Sequence, residues 1–212
     1  MDVHTPSAGP DPARHHTATP GSTLAQLRAA TWPAHQRLEK RLAVRDRFCE
    51  AAAYRAHLEQ MWGFCAGLEK NLGSCGLGGA LGDYASRHKL PLLERDLIAL
   101  GLEPEALAWL PVCGALPDCS DVAAALGCLY VIEGSTLGGQ TLAPLVQRHL
   151  GLDAERGAAF LAGYGENTLA MWRAFGSALD AWCGEAPRQA TAVAAGIATF
   201  EALESWLCGP ST

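Results

Sequence analysis

The sequence holds eight cysteines among its 212 residues, at 49, 65, 75, 113, 119, 128, 183 and 208, but no CxxC pair. That argues against a thiolate metal cluster and against a thioredoxin-like redox site. Scattered through apolar stretches, these cysteines read instead as small, reduced hydrophobes. No segment concentrates Lys and Arg, and the formal net charge is −6. A nucleic-acid backbone or an anionic membrane surface is therefore a poor partner, and neither is expected. No apolar run reaches the roughly 18 residues needed to span a bilayer. The N-terminus lacks a basic segment followed by an apolar one, so no secretory signal is read and the expected location is cytoplasmic. Apolar and polar residues nowhere alternate at period two, no internal repeat occurs, and nothing in the middle reads as a linker.

What is present is apolar material in helical patterns. Hydrophobic residues make up 49% of the chain, enough for a sizeable core. Residues 1–21, rich in Pro, Ser, Thr, Gly and His and including His15 and His16, read as a disordered tail. Residues 209–212 form a short C-terminal tail, and 22–208 read as one all-α domain. Helices are expected over 22–43, 50–72, 80–101, 103–110, 119–150, 153–162, 165–183 and 188–208. GSCGLGG (73–79) is a turn, and LPVCGALPD (110–118) a proline-bracketed loop with Asp118 or Ser120 available to cap the next helix.

In the first helix, Leu24, Leu27, Thr31, His35, Leu38 and Leu42 recur at spacings of three and four, which puts them on one face expected to be buried. On that stripe alone, His35 reads as a core histidine. Glu39, four residues on, is within reach of one imidazole nitrogen; a hydrogen bond there would leave the other nitrogen for a metal. Arg28 lies seven residues back on nearly the same face, about 10 Å along the axis. Pro33 either opens a helix restarting near Thr31 or kinks a longer one.

A second stretch, EGSTLGGQ (133–140), places Gly134, Gly138 and Gly139 inside an apparent helix, where each costs about 1 kcal/mol relative to alanine. The three could let another helix approach or break this one. A phosphate loop is excluded, because no strand precedes the glycines and no Lys follows them. The remaining reading is a kinked helix whose bare backbone lies against a flat ligand.

LRAATWPAHQRLE (27–39) and YVIEGSTLGGQTL (130–142), in this order, resemble the heme oxygenases, and most closely the subgroup associated with bacterial phytochromes. PLLERDLIALG (91–101) and GYGENTLAMWRAF (163–175) are similar too, so the resemblance spans nearly all of 24–208. It implies a heme-oxygenase-like helical bundle that binds heme as substrate and cofactor. His35 matches the proximal iron ligand and Glu39 the acidic residue near it. Gly134, Gly138 and Gly139 match the distal glycines, and Arg28 and Arg173 match partners of the propionates. Tyr130 and Phe200 fall where aromatics could line the pocket, or be ordinary core.

Two departures accompany the match. A lysine one turn before Arg173 would fall at Leu169, and Ser135 stands where many members carry an aspartate that anchors a proton-delivering water network. A hydroxyl can hold a water but carries no charge. The implied reaction is O2- and reductant-dependent opening of heme to biliverdin, CO and iron. Electrons would come from an external donor such as a ferredoxin or a reductase, and a bacterial phytochrome could accept the biliverdin. The rivals are a heme carrier or sensor without turnover, and a cofactor-free helical interaction module. His57, His88 and His149 fit no motif and read as surface or structural.

Overall fold

The computed structural model describes residues 21–43 and 47–209. The tail expected at 1–21 therefore lies outside the described residues except for Gly21, and that at 209–212 except for Gly209. Seven α-helices carry the described part: α1 (Thr23–Leu42), α2 (Ala51–Leu72), α3 (Leu90–Ala99), α4 (Val122–Leu150), α5 (Ala159–Ala162), α6 (Thr168–Trp182) and α7 (Ala186–Cys208). Short 3₁₀ turns lie at Leu77–Gly79, Tyr84–Arg87, Pro104–Trp109 and Gly165–Asn167. No strand occurs among the described residues, in line with the all-α expectation.

The bundle is organised around α4, which is buried almost continuously from Ala123 to Glu133. Small residues make this possible. A Cβ on Gly127 would sit 2.1 Å from the Ala192 carbonyl oxygen of α7. A Cβ on Gly196 of α7 would sit 2.5 Å from Leu27 of α1 and 3.3 Å from the Gly127 carbonyl. α4 and α7 thus meet backbone to backbone at this point, and the Leu27 side chain of α1 packs against the same spot. α1 and α7 run side by side in one direction: the Thr23 hydroxyl donates to the Cys183 carbonyl (2.7 Å), His35 meets Phe200, and Arg41 pairs with Glu204 (3.1 Å). On α2, Gly63 and Gly67 leave room for the 110–118 loop, whose Cys113 N–H donates to the Gly63 carbonyl (3.0 Å).

Three local expectations are corrected. The segment 80–101 is not one helix; α3 starts only at Leu90, where Pro91 fits the first turn, and Glu69 accepts from the backbone N–H groups of Lys89 (2.5 Å) and Leu90 (3.3 Å). The segment 153–162 is helical only from Ala159, because Gly157 takes a positive φ of 84° and the buried Asp96 carboxylate accepts from the Ala159 and Phe160 N–H groups, both at 2.8 Å. The cap of α4 is Asp121, accepting from Ala123 N–H at 2.5 Å, whereas Asp118 and Ser120 form their own turn.

α4 is also, by length and apolarity, the one helix among the described residues able to cross a membrane, with 78% of its most apolar window buried inside the bundle. Its glycines and hydroxyl residues keep the average apolar without forming a continuous apolar run, which is why run length alone missed it.

Candidate functional site

α1 is one continuous helix with Pro33 on its exposed side, neither restarted nor broken. Its buried stripe passes through Leu27, Thr31, Ala34, Leu38 and Leu42. The stripe expected through His35 is thus shifted by one residue at that turn, and His35 stands at the edge of the core with 38% of its side chain exposed. Nδ1 is buried without a hydrogen-bond partner. Two aromatics fix the ring plane. Trp32 stacks on it at 5.5 Å and 12°, and Phe200 of α7 meets it edge-on at 5.9 Å. Glu39 does not make the expected hydrogen bond: its Oε2 lies 3.8 Å from Nδ1, and its side chain is 64% exposed.

One turn before His35, Thr31 lies against α4, with its Oγ1 3.5 Å from the Tyr130 hydroxyl. Tyr130 is buried and packs on Trp172 of α6. One turn beyond Tyr130 comes Gly134. α4 continues as helix through the whole 133–140 stretch, so the glycines interrupt no hydrogen-bonded turn.

Those glycines divide into two kinds. A Cβ on Gly134 or on Gly138 would meet nothing within 4 Å, whereas one on Gly139 would sit 2.8 Å from the Leu161 carbonyl oxygen of α5. Gly134 and Gly138 share a face, four residues apart. Gly139, the next residue round the helix, faces α5 and is packed against it. Ser135 and Thr136 both donate to the Ile132 carbonyl, at 2.8 and 3.0 Å. The Ser135 proton is therefore committed, and its lone pairs remain acceptors.

Arg28 is half-buried on α1 and Arg173 exposed on α6. Of the unassigned histidines, His88 pairs with Glu69 at 2.8 Å and His149 is exposed. His57 is buried against Phe48, and burial lowers its pKa to about 4.

The sequence reading missed a buried ionic cluster on another side of α4. Glu133, 2% exposed, accepts from Arg87 Nη1 (2.5 Å), Lys89 Nζ (3.0 Å) and Tyr164 Oη (2.6 Å). The signal was available: Glu133 is the only charged residue between Val122 and Gln147, and a lone carboxylate in an apolar helix needs partners. Its partners, more than thirty positions away, were not legible. Burial and the Glu133 charge raise the Tyr164 pKa, while burial outweighs Glu133 and lowers that of Lys89.

The family model described as heme oxygenase matches residues 22–208. A protein named heme oxygenase from Xanthomonas campestris pv. campestris (strain 8004) is 31% identical over 154 residues, covering 71% of this chain and 86% of that protein. Among solved structures, the NO- and CO-bound heme oxygenase from Neisseria meningitidis superposes with a TM-score of 0.75 at 23% identity, covering 88% of this chain and 90% of that one. The heme oxygenase from Leptospira interrogans gives 0.67 at 18% identity, with 88% and 98% covered.

Proposed function

Because this chain belongs to the heme oxygenase family, we propose that it binds heme between α1 and α4 and opens it to biliverdin, CO and iron, using O2 and an external electron donor. The observation that carries this reading is the His35 imidazole, whose ring is held by Trp32 and Phe200 at the edge of the core while over a third of its side chain, 38%, stays exposed. A nitrogen so held suits an iron ligand. Bare backbone at Gly134 and Gly138 suits a planar ring, since a peptide surface without Cβ atoms lets a flat ligand approach.

Each residue then has a task. His35 ligates the iron through Nε2, and Glu39, at 3.8 Å, biases Nδ1 towards carrying the proton. Arg28 and Arg173 meet the propionates at the pocket mouth. Phe200 holds the His35 ring, and Tyr130 with Thr31 forms the floor one turn below. Heme supplies the oxygen-activating iron. The protein seats the ring, limits which edge is exposed to attack, and holds water for proton delivery. Ser135 accepts from such a water. No carboxylate stands at that position, and the neighbouring Glu133 is engaged in its buried cluster. The electron donor is a ferredoxin or a reductase, and the product serves as a phytochrome chromophore, as the 27–39 and 130–142 motifs suggest. A cytoplasmic setting accords with eight free cysteines.

The test is aerobic turnover of the heme complex with a reductant, for the native protein and for His35→Ala. The native complex is expected to lose its Soret band to a biliverdin spectrum, and the variant to form little or none. Equal yields would remove His35 from the mechanism. A stable heme complex that never turns over would instead favour the carrier reading, to which Ser135 and Leu169 lend some support.

A further inference from the structure

The glycine segment presents bare backbone at Gly134 and Gly138, while its buried Thr136 and Leu137 pack it from within. It is also held at both ends. At the far end, Gly139 rests on the Leu161 backbone, which Asp96 holds in turn by capping α5. At the near end stands Glu133, the residue immediately before Gly134. Its partners come from three separate places: Arg87 from the 3₁₀ turn, Lys89 from the residue before α3, and Tyr164 from the turn after α5.

These partners are themselves fixed. Arg87 donates to both Asp83 oxygens (2.8 and 2.7 Å) and to the Met171 carbonyl of α6 (3.1 Å). Lys89 donates to Tyr164 Oη (2.5 Å), and its ammonium lies 4.1 Å from the Tyr164 ring centroid. Arg87 and Lys89 are each 1% exposed. Two cations and the two carboxylates of Asp83 and Glu133 balance in charge.

A buried ionic cluster is a poor way to gain stability, because desolvation offsets most of the attraction. What it does well is admit one arrangement. Here that arrangement is the rotation and axial height of α4 at the entrance to its bare backbone. Resting on the heme reading above, we propose that Glu133, clamped by Arg87, Lys89 and Tyr164, is a positioning residue that sets how the Gly134–Gly138 backbone lies over the heme, and so controls turnover and the site of ring opening without touching the ligand.

The test compares the native protein with Tyr164→Phe and with the charge-balanced double variant Glu133→Gln/Lys89→Met. Four quantities are read: hemin affinity by Soret titration, the C–O stretching frequency of the ferrous CO complex, the ratio of biliverdin isomers, and the turnover rate. Affinity is expected to stay close to native, because His35 and the glycine face are untouched. The C–O stretch is expected to shift and the isomer ratio to broaden, while turnover by the double variant falls about tenfold or more, as expected for a misplacement of a fraction of an ångström. Tyr164→Phe loses two hydrogen bonds, the one donated to Glu133 and the one accepted from Lys89, and no charge, so it decides the matter if the double variant fails to fold. A Tyr164→Phe protein with a native C–O stretch and a native isomer ratio overturns the proposal. A native protein that gives no Soret band with hemin would overturn the heme reading itself, a result distinct from either.

Discussion

α4 uses glycine in two ways. Gly127 and Gly139 are filled against: a methyl on either would run into a carbonyl oxygen of a neighbouring segment, at 2.1 and 2.8 Å. Gly134 and Gly138 are left empty, with nothing within 4 Å of an added Cβ. Packing explains the first pair completely and the second not at all. In a continuous helix an unpacked glycine is a pure loss of about 1 kcal/mol relative to alanine. A flat ligand lying on that face, as proposed above, would account for the second pair.

The comparison can be broken most sharply at Gly127. Gly127→Ala is expected to lower stability by at least about 3 kcal/mol, read by chemical denaturation of the heme-free protein, because backbone rather than a flexible side chain must move. A fully stable variant would mean that the α4–α7 contact is looser than its geometry implies.

Such measurements belong near pH 8, because His57 imposes a slope of its own below that. Its folded pKa of about 4 lies below the ordinary 6.5, so between these values the unfolded chain binds a proton that the folded chain refuses. Stability is expected to fall by about 2 kcal/mol from pH 8 to pH 5. His57→Gln should flatten that slope; an unchanged slope would assign it to other groups.

A smaller effect of opposite sign is expected at the empty pair. Gly134→Ala and Gly138→Ala should each raise the stability of the heme-free protein by up to about 1 kcal/mol. At this chain length that is a rise in Tm of about 2–4 °C. Smallest of all is Thr31→Val. The Thr31 proton goes to the Leu27 carbonyl at 2.7 Å and the Tyr130 hydroxyl is 3.5 Å away, so replacing Thr31 gives up little hydrogen bonding between α1 and α4. A loss near 1 kcal/mol or below is expected by thermal denaturation, with hemin affinity unchanged.

Much of this was legible in the sequence. The all-α class followed from helical periodicity and the absence of period-two patterns, and α1 and α7 fall within two residues of their expected bounds. His35 and the glycine stretch stood out because each violates a local rule: a histidine read into an apolar stripe, and glycines within a helix. Boundaries failed where long-range partners decide them. α3 waits for the Glu69 carboxylate, and α5 for Asp96. Gly139 could not be told from Gly138 because the segment that packs on it, at Leu161, belongs to another helix. The Glu133 cluster was half legible, as a charge in need of partners whose identity only the fold supplies.

The most direct test of the central claim pairs two measurements on Gly138→Ala: the Tm of the heme-free protein and its affinity for hemin. Opposite movements are expected, a higher Tm together with weakened hemin binding, because the added methyl improves helix propensity and projects from the face on which the ring is proposed to lie. A variant that gains stability and still binds hemin as the native protein does would show that the open face of α4 is not where the heme lies.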